Sequence, residues 1–120
     1  MNQKHDNPEI YWKILNNKEY LYFNFHGTLT GSEASEAVQK WKDLLSRKNE
    51  KKELIWNCVD MKGYEPMARN IWQRTLKEFK TRIDKIWLIS DSTMIQAGAK
   101  IISMFTSFEI KNIHSEDELA

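Results

Sequence analysis

The sequence predicts an α/β fold in one domain: a mostly parallel βα-superhelical sheet that opens with an antiparallel β-hairpin and carries helices packed on it. Three observations lead there. Aromatic and β-branched runs alternate with amphipathic segments in the order β-β-α-β-α-β-α-β. The hydrophobic period changes from 2 to 3.6 near Thr30 and keeps switching afterwards. Each later strand is separated from the next by a helix, the connection that a parallel pair requires and that turns right-handed. A chain of 120 residues buries about two-thirds of its unfolded surface, enough for one core. With 41% hydrophobic and 29% charged residues, five Trp and five Phe, it is globular and not a disordered chain.

Residues 1–8 show no periodicity and are expected to form a disordered tail closed by Pro8, with a single domain from 9 to 120. IYWKIL (10–15) and YLYFNFHG (20–27) read as hairpin strands, joined by the short polar link around Asn16 and Asn17. Thr30-Gly31-Ser32-Glu33 has the capping-box spacing, in which hydroxyl and carboxylate satisfy backbone donors at a helix start. Ala34, Ala37, Val38, Trp41, Leu44 and Leu45 then form one stripe of a helix ending near Arg47. SRKNEKKE (46–53) is a solvated connection, and ELIWNCV (53–59) is a central strand followed by a turn at Gly63. Pro66 suits the first position of a helix, whose face is marked by Ala68, Ile71, Trp72, Leu76 and Phe79. IDKIWLIS (83–90) is the next strand. Ser90 to Thr93 offer N-caps for a third helix with a stripe of Met94, Ala97, Gly98, Ile101, Ile102 and Phe105. Gly98 costs about 1 kcal/mol relative to alanine in a helix, so its presence implies close packing. FEIKNI (108–113) is a last strand, and Ser115 to Glu118 resemble a final single-turn cap.

Several function classes have little support. Eighteen Lys and Arg against 17 Asp and Glu leave a net charge of +1, without a field that would attract nucleic acid or an anionic membrane. Cys58 is the only cysteine, so there is no internal disulfide and no Cys-x-x-Cys zinc site; in the central strand it reads as a small buried hydrophobe. No apolar run reaches the roughly 18 residues of a spanning helix, and a soluble cytoplasmic protein is expected. His5, His26 and His114 have no metal-ligand spacing. Gly27, Gly31, Gly63 and Gly98 form no phosphate loop. Trp41, Trp56, Trp72 and Trp87 fall on helix stripes or in strands and read as core. Asp60, Glu65 and Asp91 follow successive strands and are expected along one rim of the sheet. Acids there stabilise helix dipoles by about 0.3 to 1 kcal/mol each, the default against an acid/base pair or a magnesium site. No catalytic residue, metal site or cofactor is assigned.

Element order, YFNFHGTLT leading into a helix, VDMKGYEP after the central strand and KIWLISDSTMIQAGAKIISMF together resemble the SpoIIAA-like branch of the STAS superfamily over residues 10–118. In STAS domains that antagonise anti-sigma factors, a serine opening the helix after the central strand is phosphorylated by a partner kinase. Here Glu65-Pro66-Met67-Ala68 stands at that segment and Asn57 takes the place of the family's first aspartate, so the resemblance implies a module without the serine switch. It implies a non-enzymatic protein-interaction or regulatory module whose surface comprises Asp60, Lys62, Gly63, Tyr64, Glu65 and Met67. The alternative is a carrier or sensor of a small apolar or lipid-like ligand, with Trp72, Trp87 and Phe105 lining a pocket. The partners expected are accordingly an unidentified protein, an apolar ligand or a second copy of the chain, with membrane contact at most peripheral.

Overall fold

The computed structural model describes residues 6–119, and its sheet has five strands in the order of the sequence. Strand β1 (Glu9–Leu15) pairs antiparallel with β2 (Lys18–Leu29). Asn16 and Asn17 both adopt left-handed φ values, 52° and 65°. Asparagine tolerates that region, and a two-residue turn of this type matches the twist of the strands it joins. Next come α1 (Gly31–Ser46), β3 (Lys52–Tyr64), α2 (Pro66–Glu78), β4 (Ile83–Ile89), α3 (Thr93–Thr106) and β5 (Ile110–Ile113). Strands β2 to β5 pair in parallel, each with the next. The expected mixed α/β sheet is therefore what the chain forms.

All three long helices pack on one face of the sheet. Their buried side chains join Leu21, Phe23, Phe25, Leu54, Trp56, Ile86 and Leu88 in one core. Phe23 is at its centre, with the rings of Trp41, Trp56 and Trp72 edge-on at 5.9 to 6.5 Å. The expected helix starts hold. Thr30 Oγ1 accepts from the Glu33 amide while the Glu33 carboxylate takes the Thr30 N–H at 3.0 Å, and Pro66 occupies the first turn of α2.

Four expectations are corrected. Residues 1–5 lie outside the described residues, but the chain is not a loose tail up to Pro8, because Asn7 and Pro8 are buried. Glu9 opposes Asn24, so Asn7 falls opposite His26 in the same register. The Asn7 carboxamide takes both ladder positions there, donating to the His26 carbonyl at 2.7 Å and accepting from its N–H at 3.1 Å. The second correction concerns 60–64, which is strand and not turn. β2 continues to Leu29, and its free edge recruits Asp60 to Tyr64 as a paired extension with Gly63 buried inside it. Third, the inner stripe of α3 is Ile95, Gly98, Ala99, Ile102 and Thr106. Met94 and Phe105 face outward because this helix is apolar almost all round, and the small Gly98 and Ala99 decide which side approaches its neighbours. Fourth, Trp87 lies on the sheet face away from the helices, in a second cluster with Tyr20, Tyr22, Ile55, Ile89 and Ile113.

Replacing Asn7 with alanine removes both contacts to His26 and leaves a strand-edge amide and carbonyl without their partners. We expect a loss of about 1 to 3 kcal/mol, read as a lower urea midpoint with an unchanged slope.

Candidate functional site

The C-terminal ends of the parallel strands carry the site. β2 and β3 run on past the end of β4, whose last partner on β3 is Asn57. The extension, α2 and α3 flank a half-open cavity of about 50 Å³ whose walls are almost wholly apolar. Its floor is Phe25, Trp56, Cys58 and Leu88 from the sheet. Ala68, Arg69 and Trp72 of α2 form one wall, and Ile95, Gly98, Ala99 and Ile102 of α3 the other. Met61 and Tyr64 line it from the strand extension.

Gly98, which lines the cavity, and two glycines outside it each take a neighbouring side chain against the backbone. A β-carbon on Gly98 would stand 2.3 Å from Tyr64 Oη and 2.7 Å from its Cζ, so the phenol rests directly on the backbone of α3. Met67 of α2 sits on Gly31 at the start of α1, and Met94 of α3 reaches Gly63 of β3. The close packing implied by Gly98 thus exists, against Tyr64. Glu65 adds a polar tie: its Oε1 accepts from the Gly31 N–H at 2.7 Å, placing a carboxylate at the positive end of α1.

The residues expected as an interaction surface do lie together. Asp60, Lys62, Glu65 and Met67 are exposed, Tyr64 is half-buried between surface and cavity, and Gly63 is buried. Of the aromatic residues expected around a pocket, Trp72 lines the cavity. Trp87 is on the opposite sheet face, where its Nε1 donates to Glu53 at 2.7 Å, and Phe105 is 59% exposed on the outside of α3. IWLI, a continuous apolar run, gives no sign of which face each residue takes. Sequence reasoning missed Trp56, Cys58 and Arg69 as cavity residues. For Arg69 a signal existed, because it falls three residues before Trp72, on the shoulder of the α2 stripe.

Little conventional chemistry converges here. Burial alone pushes the Cys58 thiol far above its ordinary range, which leaves it unreactive. Among the described residues no group of three His, Cys, Asp or Glu side chains could hold a metal. Asp91 does meet His114, at 2.7 Å, but both are exposed, and among the described residues no nucleophile is bonded to the imidazole. The Asp91 carboxylate raises the histidine pKa. The stability the pair contributes is therefore complete below the ordinary histidine pKa and is lost as pH rises through the raised one.

A parallel βα sheet opened by an antiparallel hairpin, with all its long helices on one face, defines a STAS-type α/β domain. The sequence matches the SpoIIAA-like family over residues 20–120, and the chain belongs to that family. The fold is also similar to the crystal structure of an uncharacterised DUF3478-family protein with a SpoIIAA-like fold from Shewanella loihica PV-4. The TM-score is 0.77 at 14% identity, covering 98% of this chain and 94% of that one, a likeness of fold alone. No curated protein matches the sequence.

Two outcomes follow from the site geometry. Gly98→Ala in the native background overlaps the Tyr64 ring and lowers stability by about 1 to 3 kcal/mol. In a Tyr64→Ala background the same change gains up to about 1 kcal/mol of helix propensity, so the sign of its effect on the urea midpoint reverses. Asp91→Asn moves the NMR titration of His114 to lower pH.

Proposed function

We propose that the protein is a non-enzymatic binding module that takes a small apolar ligand between α2, α3 and the sheet and exposes that occupancy to a protein partner. One observation carries the reading: an apolar cavity lined by Tyr64, a side chain that belongs at once to the interior and to the surface around Asp60, Lys62, Glu65 and Met67. Ligand binding favours concave apolar sites at the ends of parallel strands. The cavity, at about 50 Å³, is far smaller than the roughly 300 to 1,000 Å³ of a drug-sized site, and departure of Tyr64 from Gly98 would enlarge it for a ligand longer than a few atoms. That movement would alter the very surface a partner touches. Met67 and Met94, both exposed and flexible, suit contacts that must adapt.

The same reading accounts for the residues at the position of the phosphorylated serine in related regulators. Glu65 supplies a fixed carboxylate bound to the α1 N-terminus, so a ligand and not a phosphate would be the variable input.

1-Octanol serves as a simple probe. Titrated into the native protein, it should raise the melting temperature by several degrees, as a ligand specific for the folded state does. Ala99→Leu, which fills the cavity from α3, should abolish the rise. An unchanged melting temperature in the native protein, or an equal rise in the filled variant, contradicts the reading.

A further inference from the structure

We propose that the ligand is an apolar monocarboxylate, its tail in the cavity and its head held by Arg69 together with the indole N–H of Trp56. The inference rests on the cavity's being a ligand site. Among the described residues three buried side-chain donors have no hydrogen-bond acceptor: Trp41 Nε1, Trp56 Nε1 and Arg69 Nε. Two of the three belong to residues lining this one cavity. Trp56 is only 4% exposed. Trp41 does not line the cavity; its ring is held among Phe23, Trp72 and Phe79.

Arg69 makes the case for charge. A guanidinium is a permanent cation built to grip a planar carboxylate, and although Arg69 as a whole is only half-buried, its Nε is buried without an acceptor, which is costly. No carboxylate among the described residues pairs with it. Its position adds to the cost, because Arg69 follows closely on the start of α2, where the helix presents its positive end. The N-cap there is Glu65, whose carboxylate turns to the Gly31 N–H of α1 and makes no cap hydrogen bond to α2, and the first turn of α2 holds no further acid. A negatively charged acceptor would satisfy the orphaned Nε–H and lie favourably near the start of α2. One guanidinium and one indole amount to a single positive charge in apolar walls, which suits a monoanion. A phosphate, with up to two charges and several oxygens to satisfy, would be left short of donors.

Octanoate and 1-octanol separate this inference from the reading beneath it. The alcohol leaves water for an apolar site more readily than the ionised acid, so a preference for the acid must come from the head group. At neutral pH, calorimetric titration of the native protein should show octanoate binding at least tenfold more tightly than 1-octanol. Arg69→Met should remove that preference by weakening octanoate tenfold or more while leaving 1-octanol within a factor of three. Trp56→Phe, which keeps the ring and loses the N–H, should weaken octanoate severalfold. Equal affinities in the native protein overturn the inference and leave the apolar site standing; this is also the result if a water molecule satisfies the two donors. A preference for octanoate that survives in a folded Arg69→Met protein overturns it too. If neither compound binds, the ligand site fails along with it. The comparison of the two ligands in the native protein needs no variant, so a misfolded mutant cannot shelter the inference.

Discussion

The parallel ladder between β2 and β3 is the constraint on which the rest of the structure depends. It runs from Tyr20 opposite Glu53 to Leu29 opposite Tyr64, with irregularities near His26 and Gly27 where the two strands bend. Gly27 has a positive φ of 59°, a conformation that costs a residue without a Cβ little. Through this ladder α1 and α2 start from neighbouring points. Backbone pairing continues to their junction, where the Glu65 N–H donates to the Leu29 carbonyl at 2.9 Å. The Glu65 carboxylate then reaches Gly31, and Met67 settles on the same glycine. Without the extension Tyr64 would not reach Gly98, and the cavity would have no roof.

The two sheet faces solve different problems. Toward the helices, interlocked aromatic rings fill the core and leave an apolar cavity between α2, α3 and the sheet. On the other side no long helix covers Tyr20, Tyr22, Ile55 or Trp87, yet these side chains are buried. Lysine stems and their ammonium groups lie over the rings, Lys13 at 4.4 Å from Tyr22 and Lys85 and Lys111 at 5.0 and 5.4 Å from Trp87. A lysine stem shields apolar surface while its charge stays wet. Glu116, in the 3₁₀ turn Glu116–Leu119, crosses to Lys13 and accepts from Tyr22 Oη at 3.2 Å, tying the segment after β5 back to the first hairpin. Buried Glu53 is ionised more readily than an ordinary glutamate because Lys18 and the Trp87 indole outweigh the burial that opposes ionisation. That face is thus covered by lysine side chains and by the segment after β5.

Much of this architecture is legible in the sequence because local signals and long-range pairing agree. The capping box at Thr30, Pro66 at a helix start and the Asn16-Asn17 turn each place an element boundary through chemistry that acts over a few residues. The site is less legible. Asp60 to Tyr64 are polar enough to read as a turn, and only the free edge of β2 makes them a strand. An almost uniformly apolar α3 cannot reveal its own phase, so Met94 and Phe105 read as interior. For the same reason Trp87 looks like a pocket residue until strand register puts it beside Ile55 and away from the helices. Arg69 shows the opposite limit: its oddity is visible on the helix stripe, but its lack of an acceptor is a fact of three dimensions.

The five tryptophans give the central claim a direct test, since the fold distributes them around the cavity. Trp56 and Trp72 line it, Trp41 packs beside Trp72, Trp12 lies under Lys48 and Lys52, and Trp87 is beyond the sheet. In ¹H–¹⁵N spectra recorded through a titration with octanoate, the indole signals of Trp56 and Trp72 should move together and saturate, while those of Trp12 and Trp87 stay in place. Movement of Trp87 ahead of Trp56, or no saturable movement of either cavity indole, would contradict a ligand site between α2, α3 and the sheet.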